Sequence, residues 1–180
     1  MLLPFLMKEG RNVKLETKRL MITKLTADMA QSVHENSLDE DNRRFVPDEV
    51  FETVEIAQDT VEFLISCYEK SEMPLVYPIL LRDGTNIGYV QAVPMDNGVW
   101  EIGYHIGKRY TKNGYATEAV QAFLPWIMEK LHLDEILGVC LKENAASVKV
   151  MERCGFVRIF DGVGNYQGAE REICKFVYKR

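Results

Sequence analysis

Residues 100–119 constrain the fold more than any other stretch of the sequence. They begin as a strand (WEIGYHI), continue through a glycine-containing turn (GKRYTKNGYA) and open a helix (TEA). N–H groups in the first turn of a helix have no partner within the helix, so such a turn directs several of them at one spot and can bind phosphate. Because Glu101 stands on the strand that leads into the turn, the stretch combines a phosphate anchor with a candidate general base, which favours an enzyme.

Length and hydrophobic content predict one domain. A chain of 180 residues with 47% hydrophobic residues can bury one core and is too short for two comfortable ones. We therefore take residues 1–180 as a single domain with an N-terminal extension over residues 1–14. The extension starts with MLLPFLM, which is apolar but short, and it lacks the basic leader and cleavage site of an export signal. No other segment approaches the roughly 18 apolar residues of a membrane span.

Charge and cysteine content narrow the function classes. The net charge is −5 and the basic residues are scattered, which argues against a nucleic-acid or anionic-membrane surface. The four cysteines, Cys67, Cys140, Cys154 and Cys174, show no CxxC spacing. They predict reduced, buried thiols in a soluble cytoplasmic protein.

Hydrophobic periodicity and turn residues predict the element order βααβββαβαββ. The predicted strands cover residues 19–25, 75–81, 86–95, 99–106, 135–141, 156–163 and 171–178. The predicted helices cover 26–36 after a Thr26 cap, 53–70 after a Thr53 cap, 116–131 with a kink at Pro125, and 144–153 after an Asn144 cap with a stop at Gly155. Residues 39–51 are predicted to form a short helix or loop.

The glycine turn resembles a known family motif. In the acetyl-CoA pyrophosphate motif of the GNAT (GCN-five-related) N-acetyltransferases, Gln or Arg is followed by two residues, Gly, one residue, and then Gly or Ala. Residues 111–116 read TKNGYA, so Gly114 and Ala116 match the motif while Thr111 replaces the usual Gln or Arg. The backbone part of the motif is therefore intact and its side-chain part is weakened.

Two further segments extend the resemblance to residues 15–178. The stretch NAAS at 144–147, followed by VME and GF, resembles the second GNAT signature, most closely in the branch of ribosomal-protein N-terminal acetyltransferases (RimJ/RimL-type). The opening LETKRLMITKL is similar to the first strand of that branch. The resemblance implies an α+β fold of three αβα layers: a mixed, mostly antiparallel sheet, parallel at a central split, with helices on both faces.

The resemblance also implies acetyl-CoA as co-substrate and assigns residues to it. The amides of residues 112–117 would bind the pyrophosphate, and the strand before them would splay at a bulge from its parallel neighbour at 135–141 and pair with pantetheine. The cofactor-binding residues implied are His105, Ile106, Lys112, Asn113, Gly114, Tyr115, Ala116, Thr117 and Asn144, where Asn144 is equally a plain helix cap.

Two residues are candidates for catalysis. Glu101 matches the base of histone-type family members, and its apolar neighbours could raise its pKa by desolvation; the alternative is a surface carboxylate or a structural ion-pair partner. Ser147 matches the serine that the resembling N-terminal acetyltransferases use to protonate the leaving thiolate; the alternative is ordinary capping. Many family members use a tyrosine further along that helix, and residues 148–151 contain none.

We predict no metal site. No His or Cys cluster has metal-ligand spacing, and Glu101 and His105, on one strand face, lie about 13 Å apart at about 3.3 Å per residue. His105 is expected to line the cleft at most.

The acceptor is predicted only as a class. The resemblance places its groove between residues 35–69 and 161–171. The first segment carries Glu35, Asp39, Glu40, Asp41, Asp48, Glu49, Glu52 and Glu55, which would favour a cationic amine such as a peptide N-terminus, a lysine, a polyamine or an aminoglycoside, or would simply be a solvated loop. The predicted function is N-acetylation by direct attack on the thioester. The alternatives are a small-molecule or antibiotic acetyltransferase and a non-catalytic acyl-CoA sensor; a homodimer is plausible for the family.

Overall fold

The computed structural model describes residues 14–70 and 72–180, so the N-terminal extension lies outside the described residues except for Lys14. The strands are β1 (Lys14–Glu16), β2 (Leu20–Thr23), β3 (Leu75–Leu81), β4 (Asn86–Pro94), β5 (Trp100–Ile106), β6 (Glu135–Leu141), β7 (Val157–Tyr166) and β8 (Ala169–Lys179). The α-helices are α1 (Ala30–Ser37), α2 (Glu40–Phe45), α3 (Val54–Cys67), α4 (Tyr115–Lys130) and α5 (Ala145–Arg153). Short 3₁₀ turns cover Ala27–Met29, Pro47–Glu49, Asp96–Gly98 and Lys108–Tyr110.

The described strands form one mixed sheet in the order β1-β2-β3-β4-β5-β6-β8-β7. All neighbouring pairs are antiparallel except β5 and β6, which are parallel. The predicted α+β architecture, mostly antiparallel and parallel at its centre, is confirmed.

Helices cover both faces of the sheet, as β3 illustrates. Its residue Tyr77 is fully buried against α4, with ring centroids 5.5 Å from Phe123 and 5.1 Å from Trp126. Its neighbours Val76 and Pro78 point to the other face, toward α1 and α3, because successive side chains of a strand alternate. Aromatic pairs like these stabilise a core by roughly 0.5–1.5 kcal/mol each beyond their area burial.

The centre of the sheet splits as predicted, but without a bulge in β5. The two parallel strands pair only where Glu101 lies opposite Leu137. On its other side β5 keeps a continuous register with β4, from Gly88 opposite Ile106 to Pro94 opposite Trp100. The predicted bulge is therefore wrong on this register, because two parallel neighbours can diverge without an extra residue in either. Beyond Glu101, the β6-facing edge of β5 is left free of β6.

Strong local signals in the sequence predicted two helix caps correctly, whereas weaker signals did not predict the first helix start or the terminal strands. Thr53 and Asn144 cap α3 and α5 through their side chains, which accept hydrogen bonds from the N–H groups of Ile56 (3.3 Å) and Ser147 (3.1 Å). Thr26 makes no capping hydrogen bond, because a 3₁₀ turn rather than α1 starts there. The short strand β1 was missed, and the terminal hairpin is longer than expected, since exposed residues on β7 obscure its alternation.

All four cysteines are free and buried, as expected. Among the helices of the described residues, none has the length and apolar character needed to cross a membrane.

Candidate active site

The turn before α4 presents unpaired backbone donors. Gly114 occupies the cap position in the left-handed region (φ 77°), and Lys112 is also left-handed (φ 66°). Within the described part of the chain, the N–H groups of residues 112–117 make no hydrogen bond, and the first intrahelical bond runs from Glu118 N to Gly114 O (3.1 Å). The turn and the positive end of the helix dipole therefore form an anion-binding concavity.

Arg19, which the sequence did not single out, supports this turn. Its Nη1 donates to the carbonyl oxygen of Asn113 (2.9 Å), and its Nε donates to Glu118 (2.7 Å). Its guanidinium also lies over the ring of Tyr115, 4.6 Å from the centroid. Partners so far along the chain leave no local pattern in the sequence.

A cavity of about 460 Å³ brings most of the candidate residues together. It lies between β5, the turn, α2 and α5, and we call it the cofactor cavity. The candidates that line it are His105, Ile106, Lys112, Gly114, Tyr115, Ala116, Thr117, Asn144 and Ser147. Asn113 and Glu101 are not in its wall; the Asn113 amide instead donates to Tyr110 O and Thr111 O, both at 3.1 Å.

The cavity wall also contains basic residues that the sequence analysis missed. Lys149 and Arg153 lie one helical turn apart on α5 and join Lys112 around the opening. Their i, i+4 spacing was the available signal, because residues four apart share a helix face. Together with the free amides, they suit a ligand that carries several phosphates.

Ser147 is paired with a tyrosine from a strand, a partner that the sequence did not indicate. Tyr104, on β5, donates to the carbonyl oxygen of Ser147 (3.1 Å), and the two hydroxyl oxygens are 2.9 Å apart. Burial raises the pKa of the Tyr104 phenol well above its ordinary value, so the phenol stays protonated. A phenol does stand beside the start of α5, but it comes from a strand rather than from the helix.

Glu101 is a largely desolvated carboxylate at the point where β5 and β6 separate. Burial raises its pKa to about 7, although the positive charge of Lys175 opposes the shift. It shares a strand face with Gly103 and His105. A carboxyl group that titrates near neutral pH can exchange protons with an amine.

The His105 side chain is held in place between two elements. Its Nε2 lies 3.1 Å from the carbonyl oxygen of Asn36 and 3.5 Å from Asp39 Oδ2. Burial alone would raise the pKa of Asp39, but hydrogen bonds from His105 and from the amides of Asn42 and Lys108 lower it to about 2. His105 lines the cofactor cavity, as expected.

A hydrogen bond bridges the predicted acceptor groove, and two of its acidic residues form ion pairs. Tyr166, at the end of β7, donates to the carbonyl oxygen of Phe45 (2.9 Å), so the hairpin and α2 touch. Two acidic residues of the segment are neutralised by ion pairs, Asp41 with Lys108 and Glu52 with Arg43. Within residues 14–70 and 72–180, no group of three His, Cys, Asp or Glu residues could hold a metal ion.

Comparisons with known proteins agree with this geometry. The acetyltransferase (GNAT) domain family matches residues 19–157. The chain is similar to YnaD of Bacillus subtilis (strain 168), an uncharacterized N-acetyltransferase, with 31% identity over 144 residues that cover 79% of this chain and 81% of YnaD.

Two solved structures share the fold. One is a GNAT-family acetyltransferase from Bacillus anthracis (TM-score 0.79, 24% identity, covering 93% of this chain and 98% of the other). The second is RimL, a ribosomal L7/L12 α-N-protein acetyltransferase in complex with coenzyme A (TM-score 0.78, 16% identity, covering 91% and 95%).

Proposed function

The chain belongs to the GNAT family of N-acetyltransferases, and on that premise we propose that it transfers the acetyl group of acetyl-CoA to a primary amine by direct attack on the thioester. The observation that carries the proposal is the set of free N–H groups at residues 112–117. All of these residues except Asn113 line a cavity whose other wall includes the free edge of β5.

The charge of the cofactor cavity suits coenzyme A. The amides of residues 112–117 hold the pyrophosphate, helped by the α4 dipole, which contributes about 0.3–1 kcal/mol at an exposed site. Lys112, Lys149 and Arg153 add positive charge around the phosphates. The β6-facing edge of β5 near His105 and Ile106 offers backbone groups with which pantetheine can pair as an added strand.

Glu101 prepares the acceptor in this proposal. It accepts a proton from the ammonium, directly or through water, and passes it to solvent, which leaves a neutral nitrogen to attack the thioester carbonyl. Its pKa of about 7 suits this task, because a base works best when its pKa lies near the working pH.

Ser147, which is hydrogen-bonded to Tyr104, protonates the leaving sulfur. As the C–N bond forms and the C–S bond breaks, the sulfur takes a proton from the Ser147 hydroxyl, whose oxygen then takes up a proton from solvent, while the Tyr104 hydroxyl 2.9 Å away holds the Ser147 side chain in place. The second proton lost by the amine balances the one that the sulfur gains. The first turn of α5 also favours a thiolate through its dipole.

We propose a protein N-terminus as the acceptor, on the likeness to RimL, which is described as a ribosomal-protein α-N-acetyltransferase. A small-molecule amine is the second candidate, favoured by a compact second cavity of about 410 Å³ beside β4. A non-catalytic acyl-CoA sensor is the third, favoured by Thr111 in the motif and by the absence of Glu101 from the wall of the cofactor cavity.

Thiol release from acetyl-CoA tests the proposal. We would follow it with N-terminal peptides, polyamines and aminoglycosides, comparing wild type with Glu101→Gln and with Glu135→Gln, a control that changes the same charge on the exposed end of β6. We expect amine-dependent release that Glu101→Gln weakens and Glu135→Gln leaves unchanged. Tight cofactor binding without acetylation of any amine would favour the sensor.

A further inference from the structure

A second cavity, of about 410 Å³, lies on the face of the sheet that α1 and α3 cover. We call it the α1–α3 cavity. Its wall is largely apolar and includes Val33, Phe51, Val61, Leu64, Val76 and Val93. His105 lines both this cavity and the cofactor cavity, so the two lie side by side.

One end of the α1–α3 cavity carries Asn42, whose side-chain oxygen has no partner. Asn42 is 1% exposed, and its Nδ2 donates to Ser37 O (3.0 Å) and Glu49 O (2.9 Å). These two bonds fix the orientation of the amide group. Its Oδ1 is buried and accepts no hydrogen bond from the described residues.

Glu49 lies at the same end and repeats the pattern. Its Oε1 accepts a hydrogen bond from Gln91 Nε2 (3.0 Å), while its Oε2 is buried with no partner among the described residues. A buried acceptor left unpaired destabilises the fold, so two at one end of a cavity point to a ligand that donates hydrogen bonds.

A close approach between two strands connects Glu49 to β5. Gln91 lies across Gly103, where an added Cβ would come within 2.7 Å of Gln91 Nε2, so a larger residue at this position would displace the Gln91 side chain. Gly103 follows Glu101 by two residues on the same strand face, just beyond the last pairing of β5 with β6. The Glu49 carboxylate is therefore one side chain away from the part of β5 where the thioester is expected.

We propose that the α1–α3 cavity binds the acceptor as a primary amine that carries a compact aliphatic or aromatic group. Asn42 Oδ1 and Glu49 Oε2 accept hydrogen bonds from its N–H groups before the nitrogen moves to Glu101 and the thioester, and the apolar wall encloses the apolar group. The inference rests on the proposed function and narrows its substrate class. Polyamines and aminoglycosides carry many polar groups and little apolar surface, so they are poor ligands for this wall.

The charge of the site agrees with an ammonium ligand. Burial raises the pKa of Glu49, with Gln91 and His105 opposing the shift and Asp48 adding to it. An ammonium group placed beside Oε2 stabilises the ionised carboxylate and relieves this cost.

Calorimetry tests the site by measuring how small amines bind to the protein when it is saturated with coenzyme A. The probes with a compact apolar group are leucinamide and phenylalaninamide, and the probes without one are glycinamide and spermidine. We expect the first two to bind at least about tenfold more tightly, since each buried CH₂ contributes roughly 0.8 kcal/mol. Glu49→Gln should weaken leucinamide at least about tenfold. Leu64→Trp, which fills the cavity, should abolish its binding.

Glu40→Gln is the matched control, because it removes the same charge from an exposed position on α2. Coenzyme A affinity and thermal unfolding of each variant verify that it is folded. Equal affinity for glycinamide and leucinamide, no binding of any probe, or unchanged binding in Glu49→Gln and Leu64→Trp would overturn the site. Binding as expected without acetyl transfer would leave the site standing and refute the proposed function. Acetylation that is unchanged in both Glu49→Gln and Leu64→Trp would support the proposed function and refute this site.

Discussion

We propose that cofactor binding depends more on Gly114 than on any other single residue. Its φ of 77° suits glycine, and its N–H belongs to the free set at the start of α4. Asp and Asn both tolerate the left-handed region better than other residues, so comparing them separates charge from backbone strain. We predict that Gly114→Asp weakens acetyl-CoA binding at least about tenfold more than Gly114→Asn, measured by calorimetry. Equal affinities of the two variants would contradict the phosphate cradle.

Glu101 should impose a pH dependence on both rate and stability. With its pKa at about 7, the rate should rise with pH through neutrality and level off, and Glu101→Gln should lose about 100-fold in kcat and the pH dependence together. A full rate at every pH in Glu101→Gln would exclude it as the base.

The free energy of unfolding should change with pH in the opposite direction to the rate. The unfolded carboxyl group ionises near 4.5 and the folded one near 7, so the native state holds the extra proton and stability falls as pH rises between these values. Glu101→Gln should therefore raise the free energy of unfolding at pH 8 by on the order of 2–3 kcal/mol, measured in urea. Urea titration at pH 4 is the control, because there both proteins are neutral at this position.

Ser147 and Tyr104 should be separable by kinetics. Ser147→Ala removes the proposed donor to sulfur and should lower kcat about 100-fold with little change in acetyl-CoA affinity. Tyr104→Phe keeps the ring packing but removes the hydroxyl 2.9 Å from Ser147, so it should lower kcat less, about tenfold. A residue that only caps α5 would leave kcat unchanged while lowering the melting temperature.

At the scale of elements, the sequence predicted what is decided locally. Strands β3 and β6 match their predicted bounds because their apolar runs end at clear turn residues, and Thr53 and Asn144 cap as predicted because a cap bonds within its own first turn. The separation of β5 from β6 depends instead on contacts between segments that are distant in the chain. No local pattern in the sequence indicated that the two strands separate without a bulge.

Arg19, in the turn between β1 and β2, contacts the start of α4 and should hold the glycine turn before that helix in position. Arg19→Gln removes the hydrogen bond to Asn113 O and the ion pair to Glu118, and it should weaken acetyl-CoA binding several-fold while lowering stability by about 1 kcal/mol. Arg82→Gln, which breaks an exposed pair with Glu16 close to the same turn, is the matched control and should leave the affinity unchanged. An unaltered affinity in Arg19→Gln would show that the turn holds its shape alone.

At the scale of the whole molecule, the site is assembled from segments far apart in the chain. The candidate residues that the sequence predicted lie in segments 101–117 and 144–147, and all of them except Glu101 and Asn113 line the cofactor cavity. It missed Tyr104 as the partner of Ser147, Arg19 behind the turn, and the unpaired acceptors of Asn42 and Glu49, because each depends on contacts between distant segments. The ion pairs of Asp41 with Lys108 and of Glu52 with Arg43 were likewise not indicated by the sequence pattern.

Transfer of a labelled acetyl group tests the central claim most directly. The protein would be incubated with acetyl-CoA labelled in the acetyl carbon and with an amine such as leucinamide, and both the released thiol and the labelled amide would be quantified by mass spectrometry. We predict labelled amide and free coenzyme A in equal amounts, formed only when protein and amine are both present. Coenzyme A released without labelled amide, or acetyl-CoA bound and left intact with every amine, would contradict N-acetyl transfer.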